Sequence, residues 1–152
     1  MSRAFVNEDS LIEELPDRPV SAQPNYVTEN GRAMIDEAFE AARRAHGEAQ
    51  AVGDREALAR AGRELRYWSA RRGSAKLLPI ATDIDTVQFG QAVTIIRDDG
   101  RRQTFRIVGE DEADPAKGSI SHVSPLARAL LGKRVGDTVR AGNADAEIMA
   151  IE

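Results

Sequence analysis

At Pro79 the spacing of the apolar residues changes, and that change constrains the fold more than any other feature of the chain. Before it, Ile35, Ala38, Ala42, Ala45, Ala49 and Val52 recur at alternating steps of three and four, and Leu58, Ala61, Leu65, Trp68, Arg72 and Ala75 repeat the pattern. Each set lies along one face of a 3.6-residue helix. Gly53-Asp54 separates them, supplying a flexible turn and then an N-cap, and Thr28 is the matching cap for the first helix. So short a connection makes the helices antiparallel, predicting a helical hairpin, a two-helix coiled coil, over 28–78. Its alanine-rich seam allows close approach but buries little area per layer. Phe39, Tyr67 and Trp68 gather toward the open end, where they are expected to serve as core aromatics.

Beyond Pro79 the period is two. Gln91 to Ile96 and Gln103 to Val108 read as strands around the turn Asp98-Asp99-Gly100, and Ser119 to Ser121 as a third, short strand. Ser124 offers a capping hydroxyl, Pro125 suits the first helical position, Leu126 to Leu131 form an apolar turn and a half, and Gly132 ends it. Val135 to Arg140 and Ala146 to Ile151 pair across Gly142-Asn143. The class is α+β: a helical hairpin, then an antiparallel sheet domain with one short helix over 79–152. Residues 1–27 hold Pro16, Pro19 and Pro24 with scattered acids and no sustained periodicity, and read as an extended or disordered arm.

Composition removes several functions. With no cysteine and two isolated histidines, His46 and His122, the chain lacks thiolate chemistry and a His- or Cys-built metal site. A net charge of -4 argues against nonspecific DNA binding, which needs many Lys and Arg contacts to phosphates. Only 28–76 is net positive, and the basic run Arg60, Arg63, Arg66, Arg71, Arg72 and Lys76 reads as a solvated helix face. No run reaches the length of a membrane span, and MSRAFVNEDS lacks the apolar segment of a signal peptide, so a cytoplasmic protein with no membrane partner is expected.

Several motifs of the second half occur together and in order. Arg106 to Asp114 (RIVGEDEAD), Ile120 to Lys133 (ISHVSPLARALLGK) and Val135 to Asp137 (VGD), preceded by FGQAVTI and DDG, resemble the C-terminal domain of the Gre family of bacterial transcription elongation factors. The resemblance implies an FKBP-like fold and RNA polymerase as partner, bound at the rim of its secondary channel. It maps partner contacts onto the turn before the short helix: His122, Val123, Ser124, Pro125 and Arg128. Val123 departs from the Asp or Asn usual there, and His122 is expected to be an ordinary exposed side chain. A prolyl isomerase reading finds little support, since Phe89 and Phe105 are the sole aromatics from residue 77 onward.

The same resemblance assigns chemistry to the hairpin tip. Asp54 and Glu56 are the candidate catalytic carboxylates, which would reach a magnesium ion in the polymerase active site near nascent RNA; the chain itself is expected to hold no metal or cofactor and to be no enzyme. Glu56 stands one position early relative to the family's spacing, a rotation of about 100° on a helix, and the arm is roughly eight residues short, about 12 Å less reach. Capping alone also explains Asp54 and Glu56. The expectation is a monomeric regulator that binds polymerase and modulates elongation. Its alternatives are a transcript-cleavage co-catalyst and a Rnk-like noncatalytic competitor of Gre factors.

Overall fold

A computed structural model describes residues 15–152. They form two compact units, one of 15–22 and 33–74 and the other of 23–32 and 75–152.

The first unit is the helical hairpin. Helix α1 spans Glu29–Val52 and α2 spans Arg55–Ser74. Gly53, at φ +70°, turns the chain between them, and Asp54 caps α2 by accepting the Ala57 amide on Oδ1 at 3.1 Å. The helices run antiparallel: Arg72 near the end of α2 reaches Asp36 near the start of α1 at 3.1 Å and lies over the Phe39 ring. Ile35, Ala42, Ala49 and Ala61 are buried, as the periodicity predicts, but Ala45 and Val52 are exposed. Small side chains leave a groove of about 790 Å³ between the helices, bordered by Ala38, Ala42, Ala49, Ala57, Ala61 and Trp68. The basic face is less solvated than its sequence suggests. Arg71 is fully buried, while Arg60 and Arg66 are ion-paired.

The second unit is built on a five-stranded sheet. Strands β3 (Ala92–Arg97), β4 (Arg102–Val108), β5 (Ser119–Ser121), β6 (Thr138–Ala141) and β7 (Ala144–Ile151) lie in the order β5-β4-β3-β7-β6. All neighbours are antiparallel except β4 and β5, which pair in parallel with Ile107 beside Ile120, so the expected antiparallel sheet is mixed. The reason is the connection: a loop and a 3-10 turn at Pro115–Lys117 carry the chain back before β5 begins. Alternation fills the core from one face, with Val93 and Ile95, Val139 and Ala141, and Ala146 and Ile148 buried at period two. Helix α3 (Pro125–Leu130) closes that face with Ala127 and Leu130. In the β3–β4 turn the Arg101 amide donates to Asp99 Oδ1 at 3.0 Å, and this bond, with the Arg101 guanidinium beside it, holds the Asp99 carboxyl below its ordinary range.

Tyr26 and Val27, grouped with the arm by the sequence, form β1 instead and pair in parallel with β2 (Lys76–Leu77) within this unit. Strands of two residues carry no periodicity, so nothing in the pattern of apolar residues marks them.

Candidate functional site

The turn between β5 and α3 is fixed from several sides. Ser124 sits at φ -65°, ψ 153° and accepts the Ala127 amide on Oγ at 3.3 Å, Pro125 takes the first helical position, and the Arg128 amide donates to the Ser124 carbonyl at 3.0 Å. Upstream, Ser121 Oγ accepts the Val123 amide at 3.2 Å and the Ser121 carbonyl accepts the Ser124 amide at 2.9 Å. Pro125 and Arg128 are exposed, and Val123 and Ser124 are half-buried. A rigid turn therefore presents an apolar ring and a cation to solvent. Four of the five residues expected here share this surface.

His122 does not. Only 8% of it is exposed, correcting the expectation of an exposed side chain. Its ring lies 5.3 Å from that of Tyr26 and 5.6 Å from that of Phe89, and its amide donates to the Val108 carbonyl at 2.9 Å. Histidine is amphipathic, and position alone could not show which way it turned; the deciding partner, Tyr26, is almost a hundred residues away. His122 thus supports the turn from beneath, where a merely polar residue would leave the two aromatic rings unpacked.

Three further residues escaped the sequence reading. Glu112, in the acidic loop after β4, accepts hydrogen bonds from the Thr28 hydroxyl and from Asn30 Nδ2, the latter at 3.0 Å. Thr28 in turn accepts the Gly31 amide at 3.0 Å, so the Glu112 carboxylate lies at a capped helix start, where the dipole favours negative charge. A Cβ on Gly31 would meet Glu112 Oε1 at 2.9 Å. Gly109 packs directly on β1, and Gln91 is fully buried with both ends of its amide engaged. The run GEDEAD is rich in acids, but nothing in it indicates which residue Glu112 meets.

At the hairpin tip, Asp54 and Glu56 are exposed. Asp54 is the N-cap already described, and Glu56 Oε1 pairs with Arg60 at 2.9 Å one helical turn along. Such exposed pairs are worth about 0.3–0.5 kcal/mol, so Glu56 is held weakly. Among the described residues no group of three or more His, Cys, Asp or Glu side chains could hold a metal ion. The tip's own donor set is one capping carboxylate and one ion-paired carboxylate, which is too few to form a metal cage.

Residues 81–152 match the family described as transcription elongation factor, GreA/GreB, C-term. Over 96 residues the chain is 41% identical to the transcription elongation factor GreB of Neisseria meningitidis serogroup B, covering 59% of each protein. Over 135 residues it is 33% identical to the transcription elongation factor GreA of Desulfovibrio desulfuricans, covering 87% of this chain and 76% of that one. The chain belongs to the GreA/GreB family. This Gre-family chain spans about three fifths of the length of the Neisseria GreB it matches. The crystal structure of GreA factor homolog 1 (Gfh1) of Thermus thermophilus aligns with 86% of this chain and 99% of its own at 21% identity and a TM-score of 0.43. Among the described residues no helix is long and apolar enough to cross a membrane.

Proposed function

We propose that this Gre-family chain is a cytoplasmic accessory factor that binds RNA polymerase at the secondary channel and modulates elongation, the polymerase owning the active site. The observation that carries the reading is the Ser124-Pro125-Arg128 turn, rigid and capped, with Pro125 and Arg128 exposed, in the part of the chain that matches the family. A preorganised turn binds without the ordering cost of a flexible loop. Pro125 offers a contact that needs no charge partner, and Arg128 adds a cation at the rim.

Pull-down of purified polymerase by the full chain tests this. Arg128→Glu is expected to weaken capture about tenfold by reversing a rim charge, and Pro125→Ala to weaken it less. Equal capture by both folded variants would place the interface elsewhere. A fragment beginning at residue 77 is a poor substitute in this assay, because β1 and the Tyr26 ring beneath His122 are lost with it.

For the tip we favour a noncatalytic role. Glu56 is out of step with the family's spacing and paired with Arg60, and Asp54 is spent as a cap. In a backtracked complex, the unaltered chain is expected to stimulate transcript cleavage little or not at all while slowing elongation or displacing a longer Gre factor. Strong cleavage that disappears in a folded, polymerase-binding Asp54→Ala, Glu56→Ala variant would establish the co-catalyst reading instead.

A further inference from the structure

One face of α2 is built to take a guanidinium group. Tyr67 and Trp68 meet edge to face, with ring centroids 4.9 Å apart and an interplanar angle of 83°, and Glu64 stands one turn earlier on the helix. Arg18 occupies the place they define. Its Cζ lies 3.8 Å from the centroid of the Tyr67 ring and 5.6 Å from that of Trp68, and its Nη1 donates to Glu64 Oε2 at 2.7 Å. Beside it the charges are reversed: Asp17 Oδ1 accepts from Arg66 Nε at 2.5 Å.

We propose that Glu64, Tyr67 and Trp68 form an arginine-recognition site, that the chain's own Arg18 occupies it in cis, and that an Asp-Arg segment of another polypeptide competes for it. Two ring faces and a carboxylate converge on one cation. A planar guanidinium can stack and donate at once, which a lysine ammonium does less well. Arg66 supplies the second half of the code by taking the acid that precedes the arginine. Pro16 and Pro19 flank the pair and fix their own φ, so an extended backbone is partly set before contact and the ordering cost is low.

The contact is also made to exchange. Arg18 and Glu64 side chains remain 37% and 38% exposed, and Asp17 and Arg66 more so. Half-exposed ion pairs are weak and screened by salt, so the arm is held mainly because it is tethered. Tethering gives Arg18 an effective concentration near millimolar, which a competing segment must overcome with contacts of its own.

The chain has one tryptophan, Trp68, so its emission reports the site directly. The full-length Arg18→Ala variant is titrated with a synthetic peptide of residues 15–22, Leu-Pro-Asp-Arg-Pro-Val-Ser-Ala, with far-UV circular dichroism confirming the helices. The expected result is a saturable change in Trp68 emission. Affinity should fall about three- to fivefold when the peptide carries lysine for arginine, and about two- to fivefold when Glu64→Gln is added to the protein. The unaltered chain should bind the same peptide about tenfold or more weakly, since Arg18 is already in place. No saturable change in the Arg18→Ala chain would overturn the site, as would equal binding of the lysine peptide or indifference to Glu64→Gln. Equal affinity for the unaltered and Arg18→Ala chains would overturn occupancy in cis.

Discussion

Replacing Gln91 with leucine is expected to destabilise the sheet unit by about 3 kcal/mol, although the new side chain is apolar and similar in size. Gln91 is 0% exposed, and its amide connects three backbone groups that have no place in the sheet ladder. Its Oε1 accepts the Gln88 amide at 2.9 Å, and its Nε2 donates to the carbonyls of Ala81 and Asp83 at 3.1 and 2.6 Å. Leucine removes the partner of all three, at roughly 1–3 kcal/mol for each group that water cannot reach. Urea unfolding followed by circular dichroism measures the loss. Gln91→Glu is the informative control, because it keeps the acceptor but aims a carboxylate at two carbonyl oxygens. It should be at least as damaging as leucine, and a neutral outcome for both would show that the 81–91 loop holds itself.

Gly109→Val should cost about 2–3 kcal/mol for a different reason. A Cβ at this position would sit 2.5 Å from the Tyr26 carbonyl oxygen and 3.7 Å from Val27 Cα. Both are backbone atoms, so relief requires β1 to shift, and its register with β2 (Tyr26 beside Lys76, Val27 beside Leu77) goes with it. The Tyr26 ring then leaves His122, and the turn that carries Pro125 loses its support. The expected signature is a lower urea midpoint together with weaker polymerase capture. Gly109→Ala meets the same oxygen with less bulk and should fall between. An unchanged midpoint for the valine variant would mean that β1 contributes nothing to the unit.

Much of this architecture was legible in the sequence, because it depends on local rules. The seam from Ile35 to Ala49, the Gly53-Asp54 turn, the β3–β4 hairpin and the Ser124-Pro125 helix start each announce themselves through spacing or capping chemistry. Ser119–Ser121 matches to the residue, as do the ends of β4 at Val108 and β7 at Ile151, and the remaining strand ends differ by one to three positions. What could not be read depends on partners far apart in the chain. Tyr26 and His122, Thr28 and Glu112, and Arg18 and Trp68 are each a pair whose members look ordinary alone. For the candidate site the division is similar. The turn's shape follows from Ser124 and Pro125, whereas the inward rotation of His122 follows from an aromatic ring supplied by a two-residue strand. The parallel pairing of β4 with β5 was hidden too, since side-chain alternation is the same in either direction.

The alanine seam of the hairpin has a consequence for how its amide protons exchange with solvent. A helix pair that buries Ala42, Ala49 and Ala61 gains little from each added layer, so its hydrogen bonds are protected mainly by helix propensity and by the anchored end near Ile35 and Phe39. Protection should therefore decline steadily from that end toward Gly53, with no sharp step. The sheet unit, closed by Ile95, Ile107, Leu130 and Ile148, should open only as a whole. Deuterium would then mark the chain as a gradient along one unit and a plateau across the other.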